Sequence, residues 1–138
     1  MKTITVKGDK NTGKTTLLKY AYKYFLADGA DIIEYDCNDF LTDDFYCYLI
    51  WRGIKIIIFS MGDSLKYIKQ GIAKAKYWKV NVLLNSLTKS VSQTNYSKLL
   101  PEEEKSISVI SKTDKEDRVQ QKQRVFFKEI LPELIKMI

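Results

Sequence analysis

The 138-residue chain has no histidine, two cysteines, and only three arginines among its 23 basic residues. Without histidine there is no histidine general base, and with Cys37 and Cys47 as the sole thiols the usual Cys/His zinc arrangements are excluded. Both thiols are expected to be reduced and partly buried rather than joined in a disulfide. The arginine shortage bears on partners. Base and phosphate readers lean on arginine for bidentate contacts, and Arg52, Arg118 and Arg124 are few, so the formal charge of +6 is read first as lysine-rich solvated faces. Direct nucleic-acid binding is therefore the less favoured reading. No run approaches the ~18 apolar residues of a membrane span, and a strand begins within a few residues of Met1, so neither a span nor a signal peptide is expected. The expected location is the cytoplasm, with no membrane partner. Repeats and low-complexity linkers are also missing, so residues 1–138 are expected to form one domain, with 45% hydrophobic content to supply its core. Large helicase and ring-ATPase readings need considerably more chain.

What the sequence does contain is "VKGDKNTGKTTLLKY", Val6 to Tyr20. Gly8, four residues, then Gly13, Lys14 and Thr15 match a pattern that chance would produce about once in a few hundred chains of this length. Its context is mechanical. The β-branched run Thr3–Val6 reads as a short buried strand entering the loop. Leu17, Leu18, Ala21 and Phe25 lie at helical spacing after it, up to Gly29 as a left-handed cap. Gly8 and Gly13 allow backbone N–H groups to turn inward, and the helix start adds its unpaired amides and positive dipole end. In such a loop Asp9, Lys10, Asn11, Thr12 and Gly13 line the phosphates, Lys14 reaches the β- and γ-phosphates, Thr15 ligands Mg²⁺ and Thr16 contacts the α-phosphate.

On these residues the chain resembles the P-loop NTPase superfamily, with GDKNTGKT as its Walker A motif over the first thirty residues. Asn11 ahead of "TGKTT" is similar to the form in small P-loop proteins, among them the molybdopterin-guanine dinucleotide biosynthesis adaptor and stand-alone nucleotide-binding proteins of phage and mobile elements. The resemblance implies a purine nucleoside triphosphate with Mg²⁺, held at the carboxyl ends of a parallel sheet; ATP is the expected nucleotide, with GTP as the alternative.

Along the rest of the chain, Ala30–Asp36 reads as a second strand, and "DFYCYLIWRG" with "IKIIIFS" reads as two strands in an antiparallel hairpin turning at Arg52-Gly53. A helix capped by Asp63 or Ser64 follows, with apolar residues at 65, 68, 72 and 75; then come a strand in Val80–Ser86, a short weak helix between Leu87 and Lys105, and a strand in Ser106–Ser111. The tail is expected to be helical to Ile130, with Val119, Phe126 and Ile130 inward and Pro132 kinking or restarting it. Together these give an α/β, three-layer P-loop NTPase fold whose sheet is mostly parallel with an antiparallel hairpin strand.

A phosphate loop needs a carboxylate beside it to hold Mg²⁺ or orient the attacking group. Asp63, after "IIIFSMG", is the first choice for both the metal and the catalytic role, alongside Thr15 and Lys14 respectively, although it departs from four apolar residues followed at once by Asp. Asp36, with Asp39 behind it, is the second. "VISKTD" resembles the guanine-specificity motif of GTPases, with Lys112 to stack on the base, Asp114 to accept from it and Ser111 in place of the usual Asn or Thr. The absent Asp-x-x-Gly switch and the short chain beyond Asp114 weigh against a GTPase. A nucleotide kinase would close an arginine-bearing lid, for which Arg118 and Arg124 are the only clustered candidates. The expected activity is slow hydrolysis or phosphoryl transfer to an unidentified acceptor. The competing class is a nucleotide-dependent module whose state a protein partner reads.

Overall fold

The computed structural model describes residues 1–8, 13–37, 44–62, 64–88, 103–108 (backbone only), 128 and 130–138. Strand β1 (Lys2–Gly8) leads to helix α1 (Lys14–Ala27), and then come β2 (Asp31–Cys37), β3 (Phe45–Trp51), β4 (Ile54–Phe59), α2 (Leu65–Tyr77), β5 (Val82–Thr88), β6 (Glu103–Ser108) and α3 (Leu131–Lys136). The strands form one sheet in the order β2-β3-β4-β5-β1-β6.

That sheet corrects the expected fold class. It is mixed: β2 pairs with β3 and β3 with β4 antiparallel, while β4 with β5, β5 with β1 and β1 with β6 run parallel. The mostly parallel three-layer P-loop arrangement is not what this chain forms. The reason lies in the connections. Arg52 and Gly53 both have positive φ, 49° and 78°, and make a two-residue turn of the kind that joins twisted antiparallel strands. Between Cys37 and Phe45 there is too little chain for the crossover of a dozen or more residues that a parallel pairing needs. Three consecutive strands are thereby committed to a meander.

Local expectations fare better. Helix α1 ends as its glycine suggests: Gly29 sits at φ 88°, and Ala30 N–H returns to the Phe25 carbonyl at 2.9 Å. Helix α2 is capped by Ser64, whose hydroxyl accepts from Tyr67 N–H at 3.4 Å. Pro132 falls in the first turn of α3, where a missing N–H costs nothing. β5 and β6 begin two and three residues away from where they were expected, and the segment between Leu87 and Lys105 is strand at both described ends. Residues 109–127, which carry most of the expected tail helix, lie outside the described residues, as do the Ser111–Asp114 motif, Arg118 and Arg124. No helix among the described residues is long and apolar enough to cross a membrane.

The core has two halves, one on each side of the sheet. Ile4 and Val6 of β1, Cys47 and Leu49 of β3 and Ile56 and Ile58 of β4 pack with Leu17, Leu18, Ala21 and Phe25 of α1 and Leu131 and Leu134 of α3. On the other face Tyr46, Tyr48, Ile57, Phe59 and Leu83 meet Ile68, Ile72 and Ala75 of α2. Period-two alternation along β3 and β4 therefore feeds both halves. Lys2 ties the chain's two ends, its Nζ donating to the Met137 carbonyl at 3.0 Å at the C-terminus of α3.

Two predictions follow from this packing. A Cβ on Gly71 would sit 2.9 Å from the Phe59 ring, so α2 approaches β4 only because that side chain is missing. Gly71→Ala gains about 1 kcal/mol of helix propensity but overpacks a rigid ring, a cost of about 1–3 kcal/mol, so urea unfolding should show a net loss of stability. The thiols should separate as well. Burial pushes the Cys47 thiol up to about 12, whereas Cys37 is exposed. At a pH of about 8, a thiol reagent should label one cysteine at once and the other only after unfolding, and equal rates for both would contradict this packing.

Candidate phosphate site

Parallel strands β1, β4 and β5 end on the same side of the sheet, and the antiparallel β3 begins there. Gly8 closes β1 and is buried. Gly13 takes up the chain again at φ 95° and ψ 21° as the N-cap of α1. It has no side chain with which to cap the helix, and the first turn contains no acidic residue. The positive dipole end of that turn is therefore not offset by an acid within it, and such an end attracts anions.

Lys14 is the first residue of the helix and is buried, at 7% exposure. Beside it, Thr15 Oγ1 donates to Asp44 Oδ1 at 3.1 Å. The same carboxylate oxygen accepts from Ser60 Oγ, also at 3.1 Å. Ser60 is fixed in turn: its Oγ accepts from Phe45 N–H at 2.7 Å, its own N–H donates to the Phe45 carbonyl at 3.0 Å, and its carbonyl accepts from Ser86 Oγ at 2.6 Å. A chain of short polar contacts runs from α1 through β3 and β4 to β5.

Gly62 secures the far end of this chain. Any Cβ there would collide with the Ser86 carbonyl, and Thr88 N–H donates to the Gly62 carbonyl at 3.1 Å. The segment leaving β4 is clamped to the end of β5, which holds Ser60 in place.

Gly8, Gly13, Lys14, Thr15 and Thr16 therefore meet at the β1–α1 junction. Asp9, Lys10, Asn11 and Thr12 lie outside the described residues, as do Asp39 and Asp63. With Ser64 as the cap of α2, that capping role does not fall to Asp63. Asp36 is placed elsewhere: exposed on the edge strand, it pairs across the ladder with Tyr46, which faces α2 rather than α1.

Asp44 is the acid that the sequence reading missed. Its signal was available in "TDDFYCYLI": an acid just before a strand that runs antiparallel to its neighbours lies where those neighbours end. Asp44, Thr15 and Ser60 supply hard oxygen donors with one carboxylate, a set suited to Mg²⁺, which binds through one or two carboxylates and completes its shell with water and phosphate. Among the described residues, no cluster of three His, Cys, Asp or Glu residues exists that could hold a metal unaided. The chain matches no protein-family model, no characterised protein and no solved structure.

Asp44 can be tested without any ligand. Asp44→Asn keeps an oxygen acceptor for the two hydroxyls and should change stability by less than about 1 kcal/mol, whereas Asp44→Ala strands both and should cost about 1–3 kcal/mol in urea unfolding. Equal effects of the two substitutions would mean that the hydrogen bonds carry no weight.

Proposed function

We propose that the chain binds a nucleoside triphosphate, ATP or GTP, with Mg²⁺ at the β1–α1 junction, and that it hydrolyses the nucleotide slowly or passes its phosphoryl group to an acceptor. The observation that carries this reading is the start of α1: a left-handed Gly13 without a cap, the buried Lys14, and Thr15 bonded to a carboxylate held from two strands. A cytoplasmic location goes with it.

In this reading the first-turn amides bind phosphate oxygens and Lys14 adds a charge-assisted bond to the terminal phosphates. Thr15 and Asp44 would hold Mg²⁺, which when bound neutralises phosphate charge. Ser60 keeps the Asp44 carboxylate turned toward Thr15. One observation favours the alternative of a nucleotide-dependent module read by a protein partner. Asp44 is the only acid that the described residues bring to Thr15, and it already accepts two hydroxyls, so activation of an attacking group falls to another source.

Because Lys14 is buried, an alanine would remove packing as well as charge; Lys14→Met keeps the aliphatic stem. Calorimetric titration with ATP and Mg²⁺ should show this variant about 10–100-fold weaker, with its thermal melt still cooperative. Unchanged affinity would overturn the proposal. Asp44→Asn and Asp63→Asn, compared in the same titration, identify the acid: loss of the Mg²⁺ dependence is expected from Asp44→Asn.

A further inference from the structure

Helix α2 buries Ile68, Gly71, Ile72 and Ala75 and turns a different chemistry outward. Lys66, Lys69 and Lys76 fall in one row at helical spacing, beside a second row of Tyr67, Gln70, Lys74 and Tyr77, and Lys79 follows the helix end. From Ser64 to Val82 there are five lysines and no acidic residue. Among the described residues only Lys74 of this set has an ion-pair partner, Glu34 at 3.7 Å, and its Nζ also sits 4.3 Å from the Tyr46 ring centre. Both tyrosines of the second row are open to solvent, Tyr67 at 39% and Tyr77 at 78%. Tyr77 is braced edge-on against Trp78 at 5.2 Å, and Trp78 against Tyr48 at 5.0 Å, so its ring is supported while one face stays accessible.

We propose that this face binds single-stranded nucleic acid, the lysines meeting backbone phosphates and Tyr67 and Tyr77 stacking on bases. Charge complementarity selects a polyanion. A membrane surface is the poorer fit, because an interfacial helix sinks an aliphatic face into lipid and Ile68, Ile72 and Ala75 of α2 are in the core. A duplex fits less well too, since its bases are stacked on one another and offer nothing to the tyrosine rings. The scarcity of arginine argues against base-specific readout, not against sequence-tolerant binding, for which lysine charges and aromatic platforms suffice. Ten residues separate the two rings, about 15 Å along the helix, enough for a short run of extended nucleotides. Tyr77 lies at the end of the sheet opposite Thr15, because α2 runs back toward the start of β5, so the proposal stands apart from the phosphate site.

The test is fluorescence anisotropy of the whole chain with a fluorescein-labelled oligothymidylate of about 20 nucleotides over a range of salt. Binding should weaken linearly in log–log form as salt rises. The double substitution Lys69→Ala/Lys76→Ala should flatten that slope by about 1.4, at about 0.7 for each charge removed. Tyr77→Ala should weaken binding about fivefold or more and leave the slope unchanged. Lys14→Met should bind the oligonucleotide like the parent, which separates failure here from failure at the phosphate site. All three variants change the face or the site without touching the α2 core, and cooperative melts confirm that they fold. Any of four results overturns the proposal: no binding at low salt, a salt slope the double substitution leaves unaltered, full affinity in Tyr77→Ala, or binding to phosphatidylserine vesicles without binding to the oligonucleotide.

Discussion

Asp44 Oδ1 accepts a hydroxyl from α1 and a hydroxyl from the end of β4 while its own backbone opens β3, so one carboxylate oxygen joins three elements where the sheet meets its first helix. A carboxylate suits the place because it is all acceptor: two donors aim at one oxygen and leave the other oxygen uncommitted by these bonds. The geometry requires β3 to run against β4. A strand of seven residues running the other way would place its first residue about 20 Å off, at the far end of the sheet. The site and the mixed sheet thus have one cause.

That cause is short connections. Helix α1 gives the chain a crossover, but the seven residues between β2 and β3 and the two between β3 and β4 are too few for another, and β2, β3 and β4 must fold back on themselves. Parallel pairing resumes only after α2. Ser60 stands at the boundary between the regimes, bonded through its backbone and hydroxyl to antiparallel β3 and through its carbonyl to parallel β5. Gly62 keeps the two together, which is why a glycine is needed where the chain leaves β4.

The features that were legible in the sequence are those set by a few adjacent residues. The Arg52-Gly53 turn, the Gly29 stop, the serine cap and the buried stripes of α1 and α2 each depend on local φ, hydrogen bonding or helical period. The sheet's parallel content was misjudged because strand pairing depends on what lies between strands, and hydrophobic alternation looks the same in either direction. Asp44 was missed for the same reason, since its value comes from the direction of the strand it precedes. Lys14 is the first residue of α1 and is buried, and that burial follows from packing, which the motif alone does not disclose.

Edge strand β2 shows how the same chain handles the liability its topology creates. Placing β2 outermost leaves Ile32, Ile33 and Tyr35 at 41%, 49% and 48% exposure beside a backbone edge that no described strand covers, a combination that invites strand-to-strand association. Asp31, Glu34 and Asp36 are set among them. If two copies met edge to edge, antiparallel and centred on Glu34, Glu34 would stand opposite its own copy with Asp36 on the diagonal, and like charges facing one another in a ladder destabilise the pairing. The register also shifts between Ile32 and Glu34, an irregularity that bends the edge and interrupts a regular hydrogen-bonding row. Asp36, a candidate for the metal in the sequence, stands among these edge charges and faces away from α1, while Asp44, just ahead of the next strand, is the one that reaches Thr15.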